Sequence, residues 1–571
     1  VGNSSGTFRV GSYSGTGGDV NGKISNLRIV KGTDVYGYSN ATITVPTSPL
    51  TKISGTSLLT CKSSNFADNS DSLYKITESG ANTRPVFPDT FANTIPQQTT
   101  LLAGKYRGSI RNVGFLDESS NNTTIVATGQ TTQGSFTPHY PPEKYWSNFF
   151  DGSSDNLTTA ASSDFTFGTG DFTIEAWARP NGVSGIQVLC DLRYTNNAST
   201  DNISALVMFN ATLGCFIGAN KTAGTDIPIV ANKWQHLCIQ RISGTLYFSV
   251  DGVMSSTTVG SSENLSNTGS RATIGGNVDQ TSVSMYTGYI SNLRVVKGSG
   301  VYGTSTFTPS TSPFTTTSQG VTASEVSLLT CQSNRFIDNS NSEHSLTVGG
   351  NTRIKPFFPF GLTTSYDPYD HGGSGHFDGS GDYLTTDDTI GFDFSGEFTV
   401  ECWFYLTGNV NWGVLFCASV SDRFQIAITN SNTLDLRFNG YQIGTPFAIK
   451  QNEWNHIAVT RNSSGAIQQW LNGVIKSSVT NTSSLDNGYM RIGCNQLGAN
   501  PFKGHIASAR IVNGTALYTS PSGFTPSTSA FTTSSQSADS REVKLLLNFT
   551  NAGIYDSTAK NNFLIYGDAQ I

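Results

Sequence analysis

The segment Ile290-Ser291-Asn292-Leu293-Arg294-Val295-Val296-Lys297-Gly298 constrains the fold of this chain because it is written three times. An earlier copy reads Ile24-Ser25-Asn26-Leu27-Arg28-Ile29-Val30-Lys31-Gly32. A looser, later one reads Ile506-Ala507-Ser508-Ala509-Arg510-Ile511-Val512-Asn513-Gly514. Tyr36, Tyr302 and Tyr518 follow at a short distance. The copies lie roughly 220 to 270 residues apart, too far for a solenoid repeat and right for a whole all-β domain. The chain is therefore an array of one domain type.

A complete unit is legible in the second and third copies. Phe150-Asp151-Gly152-Ser153-Ser154-Asp155-Asn156-Leu157 is matched by Phe377-Asp378-Gly379-Ser380-Gly381-Asp382-Tyr383-Leu384. Phe172-Thr173-Ile174-Glu175-Ala176-Trp177 is matched by Phe398-Thr399-Val400-Glu401-Cys402-Trp403, and Trp234-Gln235-His236 through Arg241 by Trp454-Asn455-His456 through Arg461. Asp251-Gly252 and Asn472-Gly473, each between β-branched or apolar runs, predict type I′ hairpin turns. A closing strand follows, Leu328-Leu329-Thr330-Cys331, with an Asp338-Asn339-Ser340 turn. Apolar and polar residues alternate with period two between Gly, Asn, Asp and Ser, and no window sustains helical periodicity. A strand with one apolar face must bury it against a second sheet. The expected fold is all-β: tandem antiparallel jelly-roll sandwiches.

The organisation expected is the rear of a truncated sandwich over 1–86, a spare closing unit and linker over 87–144, and complete sandwiches over 145–360 and 374–571. The first copy lacks the opening, Trp and hairpin segments, and the opening Val1-Gly2-Asn3 reads as the middle of a domain. The spare unit, Phe115-Leu116-Asp117-Glu118-Ser119-Ser120-Asn121-Asn122, is expected to form a small hairpin packed on its neighbour. The closing motif returns at Leu545-Leu546-Leu547-Asn548 and Tyr555-Asp556-Ser557-Thr558.

Charged residues make up only 13% of the chain, as befits short strands joined by many turns. A net charge of −6 and a pI near 5.7 give no electrostatic case for nucleic acid or anionic membranes. No stretch approaches the roughly 18 apolar residues of a membrane span. The 8 Cys residues form no CxxC pair or Cys/His cluster and read as small core hydrophobes.

Taken in order, Phe-Asp-Gly-x-x-Asp-Tyr-Leu, Phe-Thr-Val-Glu-x-Trp, Trp-x-His-Ile-x-Val-x-Arg and Leu-Asn-Gly resemble the laminin G-like and pentraxin-like branch of the concanavalin A-like lectin/glucanase superfamily. The tandem Asn-Leu-Arg-Val-Val-Lys-Gly and Phe-Thr-Pro-Ser-Thr-Ser-Pro-Phe segments are similar to those of marine bacteriophage structural proteins, such as tail-fibre or virion appendage components. The resemblance implies the jelly-roll fold, binding of cell-surface glycans or of other virion or surface proteins, an extracellular or virion-surface location, and in some members a rim calcium ion. It admits a homo-oligomer, although no coiled-coil heptad is present.

Glucanases of this superfamily use paired carboxylates, which a retaining glycosidase needs about 5 Å apart. Here Glu175 and Glu401 each stand alone in an apolar strand, and no Glu-x-Asp-x-Glu pattern exists. Each complete unit also has one strand Arg, so burial of Glu175 with Arg294 and of Glu401 with Arg510 is expected. The chain is read as non-enzymatic. His236 and His456, among only 7 His in all, read as core or hydrogen-bonding groups. Asp151 and Asp378 open Asp-Gly turns and are the candidates for Ca2+. For a ligand, the rim aromatics and acids Trp412, Asp422 and Tyr441 in the last sandwich, with Asp191 and Tyr194 in the preceding one, are the candidates.

Overall fold

A computed structural model describes residues 27–37, 50–60 and 115–550, apart from 120, 122, 195–202, 218–219, 223–225, 280–283, 363–365, 387–391, 393, 409–410, 419–423 and 484–487. It contains two jelly-roll sandwiches and, ahead of them, a two-stranded antiparallel sheet.

The repeated segment forms the same ladder in all three copies. Leu27–Val30 pairs antiparallel with Thr56–Thr60, placing Arg28 opposite Leu59. Thr287–Lys297 pairs with Val326–Thr330, placing Arg294 opposite Leu329, and Lys503–Asn513 pairs with Val543–Leu547, placing Arg510 opposite Leu546. Each ladder also slips at the same point, after Ile29, Val295 and Ile511. Sequence recurrence is thus recurrence of register.

In the middle sandwich one sheet centres on Phe172–Pro180, flanked by Gln235–Ile242 and Thr287–Lys297. The facing sheet runs through Ile203–Phe209, Ile186–Asp191, Thr273–Ile274 and Asn156–Thr158. The last sandwich repeats the plan around Phe398–Leu406, flanked by Trp454–Arg461 and Lys503–Asn513. Inward residues of alternate strand positions, such as Phe172, Ile174 and Ala176, or Phe398, Val400 and Cys402, are fully buried.

The hairpins have the expected turns. Asp251 and Gly252 take φ of 52° and 77°, and Asn472 and Gly473 take 52° and 83°, positive at both central positions as type I′ requires. Gly473 is held there by a second constraint. The Phe524 amide donates to its carbonyl at 3.0 Å, and a Cβ at Gly473 would overlap the carbonyl oxygen of Phe524. Gly473→Ala is expected to destabilise the last sandwich by about 1–3 kcal/mol, the range for a residue forced into a strained backbone position. Denaturant unfolding followed by tryptophan fluorescence measures it; a neutral substitution would mean that the turn gives way freely.

Residues 115–134 do not form a separate hairpin. Ile125–Thr128 joins Tyr383–Thr386, and Thr132–Gly134 joins Ser374–Asp378, as edge strands of the two sheets of the last sandwich. The corresponding edges of the middle sandwich are taken by Thr347–Gly349 and Arg353–Lys355.

The chain from Ser135 to Trp146 then runs between the sandwiches, where their cores merge. The Phe136 ring centroid lies 4.9 Å from that of Trp454 and 5.0 Å from those of Tyr405 and His505, and 6.4 Å from that of Trp146. Phe336 donates its amide to Glu453 at 2.6 Å, and Asn334 accepts the Trp454 amide at 3.0 Å. The two complete sandwiches therefore meet through a packed, hydrogen-bonded junction.

The seven Cys residues among those described, Cys190, Cys215, Cys238, Cys331, Cys402, Cys417 and Cys494, are buried free thiols. Among the described residues no helix is long and apolar enough to cross a membrane.

Candidate functional site

Glu175 and Arg294 face each other directly across adjacent strands because a bulge between Ser291 and Arg294, with Asn292 at φ 53°, re-aims the arginine. Arg294 donates Nε and Nη2 to Glu175 Oε1 at 2.8 and 2.6 Å. Glu175 Oε2 lies 2.9 Å from His236 Nε2 and accepts Tyr302 Oη at 2.6 Å. The last sandwich repeats the set: Arg510 Nε and Nη2 reach Glu401 Oε1 at 2.8 and 2.6 Å, while His456 and Tyr518 lie 3.2 and 2.8 Å from Glu401 Oε2. The remaining arginine nitrogens hold the following loop, Arg510 Nη1 donating to Thr532 O at 3.0 Å and Ser535 O at 2.9 Å.

Burial would push both carboxyls up, but Arg294 with His236 and Tyr302 holds Glu175 at about 2, and Arg510 with His456 and Tyr518 holds Glu401 at about 2. Both acids are wholly buried ions with their acceptors filled. That chemistry ties sheet to loop; it does not present an acid or a base to a substrate. The sequence pairs each Glu with its Arg but gives the His only a general hydrogen-bonding role, and the Tyr none. The recurrence of Tyr302 and Tyr518 at a fixed offset from the Arg was the available signal.

On the outer face of the last sandwich, Gln442, Arg437, Gln425, Cys417 and Arg491 occupy one row across five neighbouring strands. Trp412 lies over this face, its Nε1 donating to Gln425 Oε1 at 3.1 Å and its ring 4.2 Å from the Arg437 guanidinium. It covers Val414, Cys417 and Ala427 and is half-buried. Its φ of 73° is costly for so bulky a residue. Asp435, two residues before Arg437 and on the same face, holds that guanidinium through Oδ2 at 3.3 Å. Its Oδ1 is buried without a hydrogen-bond partner. Burial pushes the Asp435 carboxyl up, and Arg437 partly offsets this. Tyr441, opposite Phe438 at the edge of the same sheet, is 77% exposed. Asp422 lies outside the described residues. The structure thus places Trp412 on the outer face with Gln425, Asp435 and Arg437, whereas Tyr441, paired with the core residue Phe438, leaves the edge of that sheet on the other face.

The two candidates of the middle sandwich divide. Tyr194 is half exposed and packs on Gly269. Asp191 is fully buried, and its oxygens already accept the Arg193 amide, Nε and Nη2 and the Val278 amide at 2.8–3.1 Å. With its acceptors filled, it is a loop clamp and is set aside as a ligand contact.

Asp151 and Asp378 are exposed turn residues. Asp151 Oδ1 accepts the Ser153 amide at 2.8 Å and Asp378 Oδ1 the Ser380 amide at 2.6 Å. Among the described residues no group of three or more His, Cys, Asp or Glu side chains is placed to hold a metal ion. An open recess elsewhere, lined by Trp177, Asp251, Pro309, Pro359 and Phe360, lies where the Pro-Ser-Thr loop meets the linker after the middle sandwich.

The model of the concanavalin A-like lectin/glucanases superfamily matches residues 151–299 and 378–518. No curated protein matches the chain. Among solved structures, domains LG4-5 of the mouse laminin alpha1 chain align at 13% identity over 69% of this chain and 95% of that one, with a TM-score of 0.23. A heptameric SAP-like pentraxin from Limulus polyphemus aligns at 16% over 37% and 94%, with a TM-score of 0.25. Domain 4 of a GH43 extracellular arabinanase from Geobacillus stearothermophilus, solved with arabinotriose, aligns at 22% over 28% and 80%, with a TM-score of 0.23. These scores are too low for any of the three to carry a functional argument. The family match spans just over half of the residues, in both complete sandwiches, and sets them apart from other β-sandwiches: the chain belongs to the concanavalin A-like lectin/glucanase superfamily, with laminin G-like domains in tandem.

Proposed function

We propose that this chain is a non-enzymatic, glycan-binding surface protein whose recognition face is the outer face of the last sandwich around Trp412, Gln425, Asp435 and Arg437, with the exposed Tyr441 at the edge of the same sheet. The observation that carries the reading is the unsatisfied Asp435 Oδ1 beside a strained, half-buried Trp412. A buried acceptor without a donor is costly, and a ligand hydroxyl arriving there removes the cost. Sugars offer hydroxyl donors for Asp435, acceptors for Arg437 and Gln425, and an apolar C–H face for an aromatic ring. A hydrolytic role has no support from the strand glutamates, which are each locked by Arg, His and Tyr. The packed junction between sandwiches suits a role as a spaced appendage, and the tandem motifs support assignment to a virion or other extracellular surface. Weak single-site binding would then be multiplied by valency.

Glycan-array binding of the full chain tests this. Trp412→Ala and Asp435→Ala are each expected to weaken the strongest signals by about tenfold or more, equivalent to about 1.4 kcal/mol. Tyr441→Ala should have a smaller effect, and Tyr194→Ala should leave the signals of the last sandwich unchanged. Binding absent from the wild-type chain would favour the second reading, a purely structural decoration, which the packed junction also accommodates.

A further inference from the structure

The two complete sandwiches treat one place on their surface differently. Residues 135–140 lie along the last sandwich and residues 356–361 along the middle one in a common register. The Phe136 ring lies 4.9 Å from Trp454 and 5.0 Å from His505; Phe357 lies 5.5 Å from Trp234 and 4.8 Å from Tyr289. Three positions on, His139 lies 6.0 Å from Trp403 and Phe360 lies 5.6 Å from Trp177. The next residue is Tyr140 in one and Gly361 in the other. Tyr140 is buried, whereas Gly361 is exposed and a Cβ there would meet nothing within 4 Å. Pro526 and Pro309 pack alike on the hairpin glycines Gly473 and Gly252. In the last sandwich Trp403 and Pro526 are buried, and Asn334 of the middle sandwich donates Nδ2 to Pro138 O at 3.0 Å. In the middle sandwich Trp177 and Pro309 are only half-buried, and an open recess of about 410 Å³ remains between Trp177, Asp251, Pro309, Pro359 and Phe360.

The walls of this recess are fixed from beneath. The Phe307 amide donates to Gly252 O at 2.9 Å, the Phe307 ring stacks on Tyr302 at 3.8 Å, and Tyr302 reaches the buried Glu175. Asp251 is oriented by the His236 amide on Oδ1 at 2.9 Å and by Gln235 and Lys233 on Oδ2 at 3.2 and 3.3 Å, and its side chain stays 35% exposed. Trp177 Nε1, like Trp403 Nε1, is buried without an acceptor, but Trp177 borders open space. A preformed recess spares a small ligand the cost of ordering its site, and this volume is at the lower end of the roughly 300–1,000 Å³ of ligand pockets.

We propose that this recess is a second saccharide site, on the middle sandwich, for a neutral sugar of roughly one or two residues. A pyranose sets its C–H face on Pro309, Pro359 and Phe360, donates a hydroxyl to Asp251 and accepts from Thr311 and Trp177 Nε1. Asp251 at the wall disfavours an acidic sugar. The site rests on the glycan-binding reading of the chain but not on the outer face of the last sandwich.

Saturation-transfer difference NMR of the full chain, titrated with cellobiose, lactose and maltose as probes, tests it. Binding of at least one probe should survive Trp412→Ala/Asp435→Ala. Adding Gly361→Tyr should raise the Kd about tenfold or more, and adding Asp251→Asn should raise it less. Both substitutions install what the last sandwich holds at these positions, where Asn472 Oδ1 accepts the His456 amide at 2.8 Å, so the fold is kept. Wild-type binding that disappears in Trp412→Ala/Asp435→Ala would overturn the recess and leave the outer face as the sugar site. Binding unchanged by Gly361→Tyr would overturn the recess as well. Binding that only Gly361→Tyr removes would uphold the recess and overturn the outer face instead. A wild-type chain silent towards all three probes would overturn the recess, while the broader glycan array still decides the outer face.

Discussion

Arg510→Met is expected to destabilise the last sandwich by about 3–5 kcal/mol, the cost of breaking a buried pair by removing one partner. Arg510 is fully buried, and its loss strands the Glu401 carboxylate with only His456 and Tyr518. It also strands the Thr532 and Ser535 carbonyls and the Gln536 side chain, which Arg510 binds at 3.0, 2.9 and 3.0 Å. Glu401→Leu in the Arg510→Met background removes the stranded charge and should recover part of the loss. Recovery stays partial because the loop acceptors remain unfilled. The difference between single and double variants gives the coupling of the pair. Arg294→Met should behave alike in the middle sandwich, since Arg294 makes the equivalent contacts with Thr315, Ser318 and Gln319. Arg541→Met is the control, its pair with Asp539 being exposed. Chemical denaturation read separately for each sandwich measures the effect. An Arg510→Met loss no greater than that of the control would remove the ion pair from the account of what holds this fold.

How far the sequence reaches depends on whether a contact is local or non-local. Period-two alternation, Asp-Gly and Asn-Gly turns and the recurring Arg segment are local or repeated, and they read directly as sandwiches, I′ hairpins and a shared register. Cross-strand pairing of Glu175 with Arg294 follows from a lone Glu in one apolar strand and the Arg of the recurring segment in another, although Arg241 and Arg461 are buried strand arginines as well. What stays hidden is the choice among equivalent partners. The motif around Asp117 repeats the one around Asp338, and nothing in its letters says that the strand it closes lies 429 positions on.

The candidate site shows the same limit at smaller scale. Trp412 and Tyr441 stand out as rim aromatics, whereas Asp435 and Arg437 lie inside a strand that reads as core. Their spacing was a usable signal, because positions i and i+2 of a strand share a face. Asp191 with Arg193, Asp435 with Arg437 and Asp539 with Arg541 are ion pairs of this spacing, of which the second lies wholly within a strand. The middle one leaves an acceptor open, whereas Asp191 spends its own on Arg193 and the Val278 amide; that difference depends on a loop contact the sequence does not specify.

Acid should open the junction between the sandwiches before it melts either one. His139 is fully enclosed there, its Nε2 2.9 Å from Ser508 Oγ and its ring against Trp403 and Phe531. Burial pushes its pKa down, with His456 and His371 adding to the effect, to about 3 from 6.5. His505, stacked edge-on against Phe136, is lowered as well, by burial and by the neighbouring His376 and Lys355. A folded-state pKa below the unfolded value means that the unfolded form binds the proton more tightly. The stability from a neutral His139 is therefore complete above pH 6.5 and drains away as pH falls towards 3. By linkage the full loss from this one residue is on the order of 4–5 kcal/mol, of which about 2 is gone by pH 5. Glu175 and Glu401 act lower, between their unfolded value of 4.5 and about 2, each contributing about 3 kcal/mol that is lost as the carboxylates take up protons. Buried Glu453, pushed up by desolvation at the same junction, works in the opposite sense, since its protonation in the folded state offsets part of the histidine loss. His139→Gln removes one titrating group and keeps a donor near Ser508. Its unfolding midpoints, measured from pH 7 to pH 4.5, should fall less steeply than those of the wild type. Parallel profiles for the two proteins over that range would show that His139 does not set the acid response of the junction.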